Sequence, residues 1–169
     1  MSNLRGKGMH REGNAMFTAS FICVCAVTAV LLPIFIFLDE PLLKLFGARD
    51  NAHILSLARD YAFWLKFAMP LFTIGQFLSV FIRNDNNPLL ATAAVLSGGI
   101  FNIFGDYMLV FVADMGAGGA GLATAIGQLI SVCVLLTHFL RKRNTLRFVR
   151  PESFLRSVGS MVKAGCPTF

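Results

Sequence analysis

Charge is scarce in this sequence. Asp, Glu, Lys and Arg supply 14% of its 169 residues, against about 25% in an ordinary soluble domain. That shortage excludes a solvated surface of interspersed charges. An apolar content of 56% and a mean hydropathy of +0.67 point instead to a bilayer. Acidic groups are the rarer sign, nine against fifteen basic. A net charge of +6 can mark a nucleic-acid binder, but here the basic residues flank long apolar runs, so no nucleic-acid partner is expected. Cysteine is sparse and badly spaced for metal. Cys23, Cys25 and Cys133 lie within apolar runs and Cys166 lies near the C-terminus. Cys23-x-Cys25 is not zinc spacing and no second Cys or His cluster joins it, so the cysteines read as small apolar fillers. No Ser/His/Asp set, metal cluster or phosphate loop is visible, so neither an enzyme nor a cofactor is expected. The first apolar run is too long for the roughly 7–15-residue core of a signal peptide, and no A-x-A site closes it.

Long hydrophobic runs are what the sequence does have. Four of them, at about 15–38, 61–82, 88–113 and 115–140, reach the roughly 20 residues a bilayer core requires. Each must be helical, because lipid offers the backbone no hydrogen-bond partner. The expected fold class is all-α: a polytopic transmembrane helix bundle, residues 1–169 forming a single partial transmembrane domain. Eleven basic residues fall before the first run, between the second and third, and after the fourth; three fall on the other side. The positive-inside rule therefore puts both termini in the cytoplasm and the chain in the cell membrane. The connection 39–60 contains two stretches, 41–47 and 52–58, that read as short helices on the outer surface. The tail 151–163 is amphipathic and basic, as for a helix lying on the inner face.

Polar residues inside the runs are the candidates for function. Asp106 follows Pro88 by eighteen positions, about 27 Å along one helix, which places it in the outer part of the bilayer. A carboxylate there costs several kcal/mol unless it is paired, hydrated or protonated. Asn102 precedes it by four positions and shares its face. An Asp beside an amide oxygen is a candidate seat for Na⁺, or for a proton; a carboxylate reaching outer water is the alternative. Thr124 either faces this pair or back-bonds to its own helix. Gly116, Gly118 and Gly121 match G-x-G-x-x-G in spelling, but between bilayer spans they signal close helix packing. Gly98 and Gly99 loosen the middle of the third span, and Pro33 and Pro70 are expected to bend the first two. Gln76 and Gln128 are interhelical hydrogen-bond partners or cavity groups. Lys66 is expected to snorkel outward, and His138 to sit at the inner interface.

Three stretches carry a family likeness: Phe81-Ile-Arg-Asn-Asp-Asn-Asn-Pro88, Asn102-Ile-Phe-Gly-Asp106-Tyr-Met-Leu-Val-Phe111 and Gly116-Ala-Gly-Gly-Ala-Gly-Leu-Ala-Thr124. They resemble the multidrug and toxic compound extrusion (MATE) family across its fourth to sixth helices. The opening, 3–15, is similar to that family's cytoplasmic loop between helices two and three, and Gly165-Cys-Pro167 to the start of its seventh. The resemblance implies two six-helix lobes and alternating access driven by H⁺ or Na⁺. On that reading the four spans are helices three to six of the N-terminal lobe, and the lobe's cation site maps onto Asn102, Asp106 and Thr124. The remaining helices, and an acidic partner on the first of them, have no counterpart here. The expectation is a truncated chain or a piece of a split gene that does not transport alone. Its implied partners are the bilayer, lipophilic or cationic drug-like substrates, and the missing remainder of the transporter. A lipid or lipid-linked oligosaccharide flippase is disfavoured because Lys66 alone among the spans is basic. A non-transporting membrane remnant stays open.

Overall fold

The computed structural model describes residues 10–45, 51–140, 145–149 and 159. Helix α1 (His10–Phe37) is followed by a short α2 (Asp39–Leu43), then α3 (Ala52–Asn84). Helix α4 (Pro88–Asp106) runs directly into a π-helical segment, Tyr107–Val112, and α5 (Gly116–Leu140) returns antiparallel after a three-residue turn. No strand occurs among the described residues. Among the described residues four helices are long and apolar enough to cross a membrane, so the fold is an all-α transmembrane bundle.

Local chemistry explains the element boundaries. Asn51 caps α3, its Oδ1 accepting from the N–H groups of His53 (2.9 Å) and Ile54 (3.3 Å). Nothing breaks the helical run after that cap. Residues 52–58 are therefore the first turns of α3 rather than a separate surface helix. With 33 residues, α3 is about 50 Å long and outreaches a hydrocarbon core of about 30 Å. It stays continuous through Pro70, as α1 does through Pro33. The α3–α4 turn places Asn86 in the left-handed region, φ 57, which Asn tolerates better than most residues. Asn87 then caps α4, with Pro88 in the first turn where its missing N–H is harmless. Within 41–47, only α2 and the two residues after it are described. The tail 151–163, apart from Gly159, lies outside the described residues, as does Cys166.

Helix α5 is the centre of the bundle. It packs along both α3 and α4, while α1 leans on α3. Its buried face is Gly119, Gly121, Ala123, Ala125 and Gly127, widening to Ser131, Val132 and Leu135. Small residues let helix backbones approach, and in lipid that close packing replaces the hydrophobic drive of water. Gly98 and Gly127 meet backbone to backbone: a methyl on Gly98 would lie 2.5 Å from the Gly127 carbonyl, and one on Gly127 2.8 Å from that of Gly98. Gly121 likewise lies against α3, where a methyl would come within 2.7 Å of the Tyr61 carbonyl. Gly118 makes only ordinary contact with Asp60, and Gly99 faces open space. The end of the bundle where α1 begins and α5 finishes holds the larger side chains, with Phe17, Phe77, Ile82, Leu135 and Leu146 in one cluster. Beyond Ala19, α1 has no buried residue; Phe21 and Val24 still pack against the cluster, while Val27, Val30 and Phe37 further along are exposed.

Two ionic residues are held by partners. Lys66 is paired with Asp39, the first residue of α2. His138 has a side chain only 2% exposed, held against Asp85.

Candidate functional site

Three helical stripes converge on one cavity. Phe72, Gly75 and Gln76 come from α3; Val95, Gly98, Gly99 and Asn102 from α4; Thr124, Gln128 and Ser131 from α5. Each set follows the i, i+3, i+4, i+7 spacing of one helix face. The cavity measures about 210 Å³. Phe72, Gln76, Val95 and Gly99 are exposed, so it opens on one flank of the described bundle. Its polar groups are uncharged amides and hydroxyls; of its glycines Gly99 has open space beside it, whereas Gly75 faces Val132 and Gly98 the Gly127 carbonyl.

The deep wall is a hydrogen-bonded pair. Asn102 Nδ2 donates to Thr124 Oγ1 at 3.3 Å, and the Thr124 hydroxyl donates to its own helix, at Ala120 O, at 3.0 Å. Thr124 therefore back-bonds and faces Asn102 at once. Interhelical bonds of this kind contribute about 0.6 kcal/mol in a membrane, so the pair orients more than it stabilises. With its amide nitrogen committed to Thr124, Asn102 keeps its carbonyl oxygen for a further partner.

One turn beyond, Asp106 is the last residue of α4. Its Oδ1 is buried and has no hydrogen-bond partner. The next residue, Tyr107, begins the π-helical segment. The wide turn continues to Ala113, whose N–H reaches Met108 O at 2.8 Å. Gly119 packs under it, leaving no room for a methyl beside the Leu109 carbonyl (2.8 Å). Such π turns recur at functional positions in helices. Asp106 is not part of the cavity wall; it stands a turn outward from Asn102. Pro70 lies in α3 two residues before Phe72, outside the wall.

Sequence reasoning overlooked Phe72, Gly75, Val95 and Ser131 in the cavity, and Gly127 at the crossing. Ser131 carried a signal, since it follows Thr124 by seven positions and Gln128 by three on one face. Gly127 carried none, because its contact is made with Gly98 on another helix. Among the described residues no His/Cys/Asp/Glu group could hold a structural metal. The Asn102–Thr124 end presents an amide and a hydroxyl and no charged group.

Comparison with known proteins places this arrangement. The family model MatE matches residues 1–108, a stretch that includes Asn102 and Asp106. The multidrug export protein MepA of Staphylococcus saprophyticus is 27% identical over 150 residues, which cover 86% of this chain and 32% of that protein. The probable multidrug resistance protein NorM of Photorhabdus laumondii is 26% identical over 157 residues, 90% of this chain and 34% of its own length. The NorM of Idiomarina loihiensis is 27% identical, with 89% and 33% covered. The chain thus spans about a third of the length of the curated relatives it matches. No solved structure gives a significant match. With the family model covering well over half the residues and the polar stripes of its helices converging as described, the chain belongs to the MatE family.

Proposed function

We propose that the chain forms part of a cation-coupled multidrug efflux antiporter in the cell membrane, both termini facing the cytoplasm. Asp106, Asn102 and Thr124 hold the coupling ion, H⁺ or Na⁺. Gln76 and Gln128 belong to the wall of a cavity that admits lipophilic or cationic drug-like molecules. The names of the relatives, multidrug export and multidrug resistance proteins, support the substrate class. The segments those relatives carry beyond the matched third would supply the facing wall.

One observation carries the reading: the buried, unpartnered Oδ1 of Asp106 beside the Asn102–Thr124 pair. A membrane-embedded carboxylate oxygen without a donor costs several kcal/mol, and a proton or sodium ion removes that cost. Asn102 and Thr124 belong to both the proposed ion site and the cavity wall while Asp106 stands a turn away, so charge at one site can bias occupancy of the other. A flippase would need cationic groups for lipid phosphate, and the cavity wall has none.

The test is efflux of a lipophilic cationic dye from vesicles, driven by a proton or sodium gradient, with the chain co-expressed alongside the segments its relatives carry. Asp106→Asn is expected to abolish gradient-driven efflux. Efflux that continues at the wild-type rate and follows the same gradient removes Asp106 from coupling. Sodium-dependent efflux at constant pH selects Na⁺ over H⁺.

A further inference from the structure

The inner end of the bundle carries a polar cluster that the transport reading leaves unused. His138, in the last turn of α5, and Asp85, in the α3–α4 turn, are each 2% exposed. His138 Nε2 lies 2.7 Å from Asp85 Oδ2. Thr145, from the chain beyond α5, closes on the same carboxylate: its backbone N–H donates to Oδ2 at 3.1 Å and its hydroxyl donates to Oδ1. On the other side of the ring, Asn87 Nδ2 is 3.3 Å from His138 Nδ1. Asn87 Oδ1 meanwhile accepts from the Leu90 N–H at 3.4 Å, capping α4. The cap turns the amide so that its NH₂ faces the ring. Nδ1 is then the acceptor, and Nε2 carries the proton toward Asp85.

The chain past Thr145 continues this attachment. Leu146 is 2% exposed within the inner core. The Phe148 ring lies 5.0 Å from Phe17 and 5.4 Å from Phe21. The Val149 N–H donates to Thr18 Oγ1 at 3.0 Å. These contacts meet α1 in its inner turns, the part of that helix that also holds its buried residues.

We propose that Asp85, His138 and Thr145 form a cytoplasmic clasp. It fastens segment 145–149 across the inner end of α1. Through Asn87 it also ties the position of that segment to the first turn of α4, the helix that carries Asn102 and Asp106. A carboxylate this deeply buried depends on its donors, and removing one is costly out of proportion to a single surface contact. The clasp is therefore closed or open rather than gradually loosened, and a pull on the chain after α5 reaches α4 as a displacement of its cap. It rests on contacts at the inner end and holds whether or not Asp106 binds a cation.

Hydrogen exchange on the full chain in lipid nanodiscs tests this. Two variants are compared with wild type: His138→Ala, and Thr145→Val, which alters only an exposed side chain and leaves the buried Asp–His pair. Both are expected to speed exchange of the 145–149 amides about tenfold or more, the scale of one charge-assisted hydrogen bond. Both are also expected to speed the Leu90 and Ala91 amides at the start of α4. Wild-type exchange at 145–149 in Thr145→Val overturns the clasp. Faster exchange there with Leu90 and Ala91 unchanged overturns the link to α4. Because Thr145→Val reads both points, the test does not depend on His138→Ala folding.

Discussion

At the scale of single residues, adjacent glycines carry opposite burdens. Gly98 is pressed against the Gly127 carbonyl, whereas Gly99 has nothing within 4 Å of a would-be methyl. Gly98→Ala must push α4 from α5 and is expected to cost about 1–3 kcal/mol. Gly99→Ala meets no obstacle and should stabilise α4 by about 0.5–1 kcal/mol, the ordinary gain of Ala over Gly in a helix. Thermal unfolding of the two variants in one detergent checks the contrast; equal midpoints would mean that the crossing is not close. Asp106 yields a second prediction. Its Oδ1 is buried without a donor, so Asp106→Asn should leave the ion-free protein at least as stable as wild type while ending its ion response. A large fall in unfolding temperature would reveal a partner that the orphaned oxygen argues against. At the outer surface, Glu40 is held below the usual glutamate range, first by its hydrogen bond to Lys44 and then by the charge of Arg59. A lowered folded-state value contributes stability above the unfolded value and loses it as pH falls through the folded one. The Glu40 carboxylate should accordingly stay ionised to lower pH than a free glutamate, a shift that carbon-detected NMR titration measures and that Lys44→Gln should shrink.

At the scale of elements, helix ends decide where the spans lie. Asn51 and Asn87 do the same work at opposite membrane faces, each offering its side-chain oxygen to the first orphan N–H groups of a helix. Either Asn→Ala change should cost about 1 kcal/mol. Asn87→Ala should cost more than Asn51→Ala, because Asn87 also meets His138 while Asn51 is exposed. Denaturation of both variants under identical conditions gives the comparison. The junction of α4 with its π segment matters for a different reason. Hydrogen bonds that reach one residue further widen the turn, so the side chains after Asp106 do not continue the face of Val95, Gly98 and Asn102. A regular helix through 88–113 would carry that face straight to the outer end; the structure ends it at the carboxylate.

At the scale of the whole molecule, orientation and assembly are open to direct measurement. The basic residues bracket one face of the membrane, and the positive-inside rule assigns that face to the cytoplasm. In a background without native cysteines, Asn51→Cys should react with an impermeant thiol reagent in intact cells and Asn84→Cys only after permeabilisation. The reverse pattern would invert the proposed topology and turn the 145–149 segment outward. The exposed flank of the cavity also bears on assembly. Gln76 and Gly99 lie exposed beside a polar cavity, which is a poor surface for lipid and a suitable one for a water-filled cleft facing another part of a transporter.

The division between local and distant information runs through all three scales. Hydrophobicity and its run length are properties of consecutive residues, so the order of residues along the chain sufficed for four helices able to cross a membrane and for an all-α fold. Rotation of each helix about its axis was not readable. It is set by which small faces meet, and Gly98 finds Gly127 on another helix with no local mark of the match. His138 reads as interfacial along the chain on this account: its partner Asp85 lies 53 positions away, and the burial of that pair follows from how the chain beyond α5 folds back. Only packing in three dimensions brings such groups together, because the energy that pairs them depends on distance in space and hardly at all on separation along the chain.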